Sequence, residues 1–158
     1  MVDILILAIG QSMRRDDAAG LVAVKRWMFH YPEYARDTHL RVEFLELPGF
    51  ELLDYLEMAK RVLIVDAVQT GASPGSLHWL TEKNLAHFDH GSDTAHGLGV
   101  AETLALGRQI QPDKLPDCVD ILGIEVGDIC MGEGMSAEVA AVIEQVAVMI
   151  ENWVKGKM

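Results

Sequence analysis

Two stretches of this chain are apolar without interruption, and they set the frame for the rest. Ile4 to Ile9 runs unbroken until Gly10, and Arg61 to Val68 contains a second run, VLIV, rich in β-branched residues. Such runs suit strands covered on both faces, because an exposed face would call for polar alternation. Between them, Leu21, Val24 and Met28 share one helical face that ends near Pro32, and Leu52, Leu56 and Ala59 share another after Pro48 and Gly49. Arg41 to Leu47 supplies a strand between the two helices. The order strand, helix, strand, helix, strand predicts right-handed crossovers and a mainly parallel sheet.

Beyond the glycines at 71 and 75, Ser76 to Leu80 reads as a further strand, and its connection is too short for a crossover helix, which suits an antiparallel edge. Residues 81–96 read as a polar loop that holds His87, His90 and His96, followed by a helix from Leu98 to Ile110 and a last strand from Val119 to Val126. The tail from Ser136 has the clearest helical period, with Val139, Val142, Ile143, Val146, Met149, Ile150 and Trp153 on one stripe and Ser136 as N-cap. The expectation is therefore an α/β fold: a three-layer αβα sandwich with a twisted sheet of about five strands and helices on both faces. No repeat, low-complexity tract or linker divides residues 1–158, which read as a single domain.

Composition narrows the function classes. A chain of 158 residues, 50% of them hydrophobic, buries enough surface to be stable without disulfides. Cys118 and Cys130 form no CxxC pair and read as reduced thiols. The apolar start carries Asp3 and lacks a basic leader, so it reads as a strand and not as an export signal. No run approaches the ~20 residues of a membrane span, and a cytoplasmic protein is expected. Thirteen basic against twenty-four acidic side chains give a formal charge of −11, which disfavours nucleic acid and anionic membranes as partners.

Candidate chemistry gathers where the predicted strands end. Ligands of open parallel sheets bind outside the carboxyl ends of the strands. Asp16 and Asp17 follow the first strand, Asp66 ends the VLIV strand, and His87, His90 and His96 follow the fourth. Asp16 and Asp17 also have an ordinary role open to them, as acids in the first turn of a helix. Asp66 is harder to account for without a site, because an unpaired carboxylate at the end of an apolar strand is costly to bury. The sequence has no GxSxG elbow, HExxH helix, phosphate loop or GxGxxG turn.

Taken in order, these segments resemble the hydrogenase maturation endopeptidases over nearly the whole chain. That family's GNxLxxDEGxG motif corresponds to Gly10-Gln11-Ser12-Met13-Arg14-Arg15-Asp16-Asp17-Ala18-Ala19-Gly20, and its VDA strand end to Val65-Asp66-Ala67. Its SxHxxGL segment corresponds to Thr94-Ala95-His96-Gly97-Leu98-Gly99-Val100, with Gly123-Ile124-Glu125 and Gly134-Met135-Ser136 further on. The resemblance implies that Asp17, Asp66 and His96 contact a metal and carry the chemistry, leaving His87 and His90 without a role. It implies nickel as the metal, supplied by the substrate, and a nickel-iron hydrogenase large-subunit precursor as the partner that is trimmed at its C-terminus. Position 17 is Asp where the family usually has Glu, Gln11 replaces Asn, and Ala18 replaces Gly. Two rival expectations use the same residues differently: an autonomous zinc hydrolase, and a noncatalytic maturation chaperone.

Overall fold

In the computed structural model, which describes residues 1–46, 48–85 and 99–158, the two uninterrupted apolar runs lie side by side in the middle of a five-stranded sheet. These strands are β1 (Val2–Ile9) and β3 (Ala59–Val68), joined by β2 (Leu40–Leu45), β4 (Leu77–Thr81) and β5 (Cys118–Glu125) in the order β2-β1-β3-β5-β4. All neighbours are parallel except β4, which pairs antiparallel with β5 at the edge. The expected three-layer α/β sandwich is the observed architecture.

Alternate residues of each central strand feed two cores. Ile4, Ile6, Leu63, Val65, Leu122 and Ile124 face α1 (Ala19–His30) and the C-terminal helices. Leu5, Leu7, Val62, Ile64 and Ile121 face α2 (Glu51–Leu56), α3 (Glu82–Leu85) and α4 (Val100–Ile110). A strand buried on both sides of a sheet has no polar alternation to show, which is why these strands read as continuous apolar runs.

Several boundaries differ from the sequence expectation, each for a physical reason. Ala59 belongs to no helix: α2 stops at Leu56, and Ala59 opens β3 opposite Val2. Residues 81–96 are not wholly loop, since Thr81 closes β4 and α3 follows at Glu82; residues 86–96 lie outside the described residues. The tail is two helices, α5 (Ala137–Ala140) and α6 (Ile143–Lys157), separated at residues 141 and 142. Ser136 occupies the N-cap position of α5, yet its side chain makes no capping bond; the hydroxyl is drawn to Asp16 instead.

Candidate active site

The segment after β1 folds back over the strand end, and two glycines make that approach possible. A Cβ on Gly10 would lie 2.2 Å from the Asp17 carbonyl oxygen, and one on Gly20 would lie 2.5 Å from the Val65 and 2.8 Å from the Ile9 carbonyl oxygens. Only hydrogen fits at either place, so the turn containing Arg15–Ala18 and the start of α1 sit directly on the ends of β1 and β3. Arg15, at φ 45°, is the one non-glycine residue with positive φ among the described residues, a conformation uncommon outside glycine and asparagine. It immediately precedes the two acids.

Asp16 and Asp17 have opposite surroundings despite their adjacency. Asp16 is fully buried and turns toward the chain after β5. Its carboxylate accepts hydrogen bonds from the amides of Gly127 (3.0 Å), Asp128 (3.0 Å) and Ser136 (2.6 Å), and from the Ser136 hydroxyl (2.8 Å). Burial alone would raise its pKa, but those donors outweigh burial and hold the group below the usual carboxylate value. The main chain reinforces the clamp: the Arg15 amide donates to the Gly132 carbonyl, and the Gly132 amide donates to the Met13 carbonyl. Asp16 is thus a structural anion that ties the post-β1 loop to residues 127–136.

Asp17 is half-buried and accepts a 3.1 Å hydrogen bond from the Gln11 amide. Its charge reaches Asp66, which lies within β3 at its carboxyl end. Burial first, and the Asp17 charge second, push the Asp66 carboxyl up to about 8, against a smaller lowering by the Ala67 amide. The structure therefore brings two of the three expected site residues, Asp17 and Asp66, to one end of the sheet. His96, the third, lies outside the described residues, together with His87 and His90. Among the described residues no three metal-ligating side chains converge. A positive charge beside Asp66 would offset both of the causes that raise it, burial and the Asp17 charge.

Glu125 and His78 were not singled out for a role by the sequence. Glu125 is 1% exposed at the end of β5 and accepts from the Thr70 amide (2.8 Å), the Gly71 amide (3.2 Å), the Thr70 hydroxyl (2.8 Å) and His78 Nε2 (3.0 Å). The signal that marks Asp66, an acid closing an apolar strand, is present at Glu125 as well. His78 carries no such signal, since a histidine on an edge strand is common.

Comparison with known proteins follows the same lines. Residues 46–153 match the family model described as hydrogenase maturation protease. The hydrogenase expression/formation protein HupD of Bradyrhizobium diazoefficiens is 30% identical over 110 residues, covering 66% of this chain and 56% of that protein. The match thus spans little more than half of that relative's length. Among solved structures, the hydrogenase maturating endopeptidase HybD from E. coli superposes with a TM-score of 0.81 at 20% identity, covering 98% of this chain and 93% of that one. The [NiFe] hydrogenase maturation protease HybD from Thermococcus kodakarensis gives 0.73 at 22% identity, with coverages of 96% and 99%. At these identities the structural likeness concerns the fold.

Proposed function

Because the chain belongs to the hydrogenase maturation protease family, we propose that it is an endopeptidase that removes the C-terminal extension of a nickel-iron hydrogenase large-subunit precursor once nickel has been inserted. The observation that carries this reading is the turn holding Asp17, seated on the ends of β1 and β3 where Asp66 stands, its carboxyl raised by burial and by Asp17. A divalent cation arriving with the substrate would ease both the burial and the Asp17 charge that raise Asp66. Nickel is then part of the substrate, and its presence reports that metal insertion is complete.

Asp17, Asp66 and His96 are proposed to contact that nickel. Two carboxylates and an imidazole make a partial shell for Ni(II) that leaves positions for ligands of the precursor. A cation held there can also polarise a neighbouring carbonyl for attack by water. The part played by the chain itself is positioning: Asp16 fixes the turn that carries Asp17, Gly20 seats that turn on β3, and β3 carries Asp66.

The experiment is cleavage of purified precursor, nickel-loaded and nickel-free, followed by mass spectrometry of the large subunit. Shortening of the loaded precursor alone supports the proposal. Shortening of both forms by a protein that retains zinc through purification would instead make it an autonomous zinc hydrolase. Shortening of neither would leave a noncatalytic maturation chaperone.

A further inference from the structure

The connection between β3 and β4 is longer and more firmly held than its span demands. It must cross the end of β5, two strand spacings or ~10 Å, which about three extended residues would cover; residues 69–76 are used instead. Residues 69–74 are exposed, and among the described residues the connection contributes no side chain to either hydrophobic core. An exposed loop without apolar anchors ordinarily opens easily. This one is pinned from beneath by a buried carboxylate, Glu125, which gathers Thr70, Gly71 and His78. Two main-chain bonds add to it, from the Gly75 amide to the Glu125 carbonyl and from the Glu125 amide to the Ser76 carbonyl, both 2.8 Å.

The pinned segment adjoins the candidate site. Asp66 pairs with Gly123 across β3 and β5, and Gly123 pairs with His78 across β5 and β4, so the three form one row on one face of the sheet. Glu125, beside Val68, stands two residues further along that same face. A Cβ on Gly123 would crowd the Val68 methyls at 3.0 and 3.1 Å and touch the His78 Cβ at 3.6 Å, so Gly123 leaves both side chains close over its strand position. His78 is thereby set at a defined place across from Asp66, with its Nε2–H committed to Glu125.

We propose that residues 69–76, braced by Glu125 and His78, form the wall against which the polypeptide being cleaved is laid in extended form beside Asp66. The proposal rests on the endopeptidase reading. His78 and Glu125 are positioning residues: they commit a buried charge to fixing an exposed loop, which does little for the cores and much for the alignment of a flexible substrate.

The test is steady-state cleavage of nickel-loaded precursor by the wild type, His78→Leu, His78→Gln and Thr70→Val. Leucine removes the donor to Glu125, whereas the glutamine amide can restore it. The expected result is a KM raised roughly tenfold in His78→Leu with kcat nearly kept, recovery in His78→Gln, and an intermediate rise in Thr70→Val. Thr70→Val keeps the question open to refutation should His78→Leu fold poorly, since it deletes a single hydroxyl on an exposed residue. An unchanged KM in the folded variants, with the wild type active, overturns this proposal alone. A fall in kcat together with lost Ni(II) binding also overturns it, by making His78 a metal contact. Failure of the wild type to cleave overturns the endopeptidase reading, and this proposal with it.

Discussion

Replacing Asp66 with asparagine should stabilise the folded protein in neutral and alkaline solution while ending precursor cleavage, because the charge at this position opposes folding. In the folded chain the carboxyl is pushed up to about 8 from an ordinary 3.8, chiefly by burial and then by Asp17. Below the ordinary value both folded and unfolded forms carry the proton, and the position costs nothing. Between the two values the folded form keeps its proton while the unfolded form releases it, so stability falls as pH rises; above about 8 the loss is complete. Some four pH units at about 1.36 kcal/mol each set an upper limit of about 6 kcal/mol. Asp66 keeps partial solvent contact, so an effective figure near half of that, ~3 kcal/mol, is expected.

For a chain of this length, ~3 kcal/mol corresponds to a rise in melting temperature of roughly 6–12 °C. Thermal melts of the wild type and Asp66→Asn at pH 5, 7 and 9 read it directly. The asparagine oxygen can still accept from the Ala67 amide, so the gap at pH 5, little more than one unit above the ordinary value, should be about a quarter of that at pH 9. A constant gap, or a variant less stable at pH 9, would refute the reasoning. On the proposed reading, added Ni(II) raises the wild-type melting temperature at pH 8 and leaves that of Asp66→Asn unchanged.

Asp16→Asn should do the opposite, costing about 2–4 kcal/mol in denaturant titrations because an amide cannot satisfy donors arriving from Gly127, Asp128 and Ser136. The Asp16 pKa is lowered, so its contribution is present above the ordinary carboxylate value and disappears as pH falls through the folded one; the variant's acid limb should be correspondingly flatter. Gly20→Ala should cost roughly 3 kcal/mol, since its methyl meets two main-chain oxygens inside 3 Å, whereas Gly156→Ala, with nothing within 4 Å in α6, should gain up to ~1 kcal/mol. Asp17→Glu is expected to retain partial precursor cleavage and Asp17→Ala to lose it with its melting temperature nearly kept; normal cleavage by the alanine variant would remove Asp17 from the site.

Legibility along this chain follows burial. β1 and β3 could be read because both of their faces are covered, and an apolar run of strand length with β-branched residues suits little else. Ala59 misled because it continues the spacing of Leu52 and Leu56 while also opening a strand: one apolar residue at a boundary satisfies both periods. The tail helix read as unbroken because its apolar stripe is continuous, and nothing local marks residues 141 and 142 as a break. Ser136 has the residue type of a cap, but its partner is 120 positions away; a tertiary carboxylate prevailed over the local amide that capping would use. His78 offered no signal of either kind, since its significance lies in the strand pairing that sets it in line with Asp66.

The adjacent acids show why position alone could not separate scaffold from site. Asp16 and Asp17 share a turn, and a count of acids near a strand end weights them equally. The distinction lies in how each charge is compensated. Asp16 is the more deeply buried, yet four donors surround it and its ionised form is favoured. The Asp17 charge bears on Asp66 and adds to the larger effect of burial, which together push that carboxyl up to about 8. An acid ringed by donors needs no ligand, while an acid raised by burial and by a neighbouring carboxylate gains from a cation beside it. By that criterion Glu125, nearly inaccessible but met by four donors, stands with Asp16 as part of the frame, and Asp66 with Asp17 beside it is the proposed place for the substrate's cation.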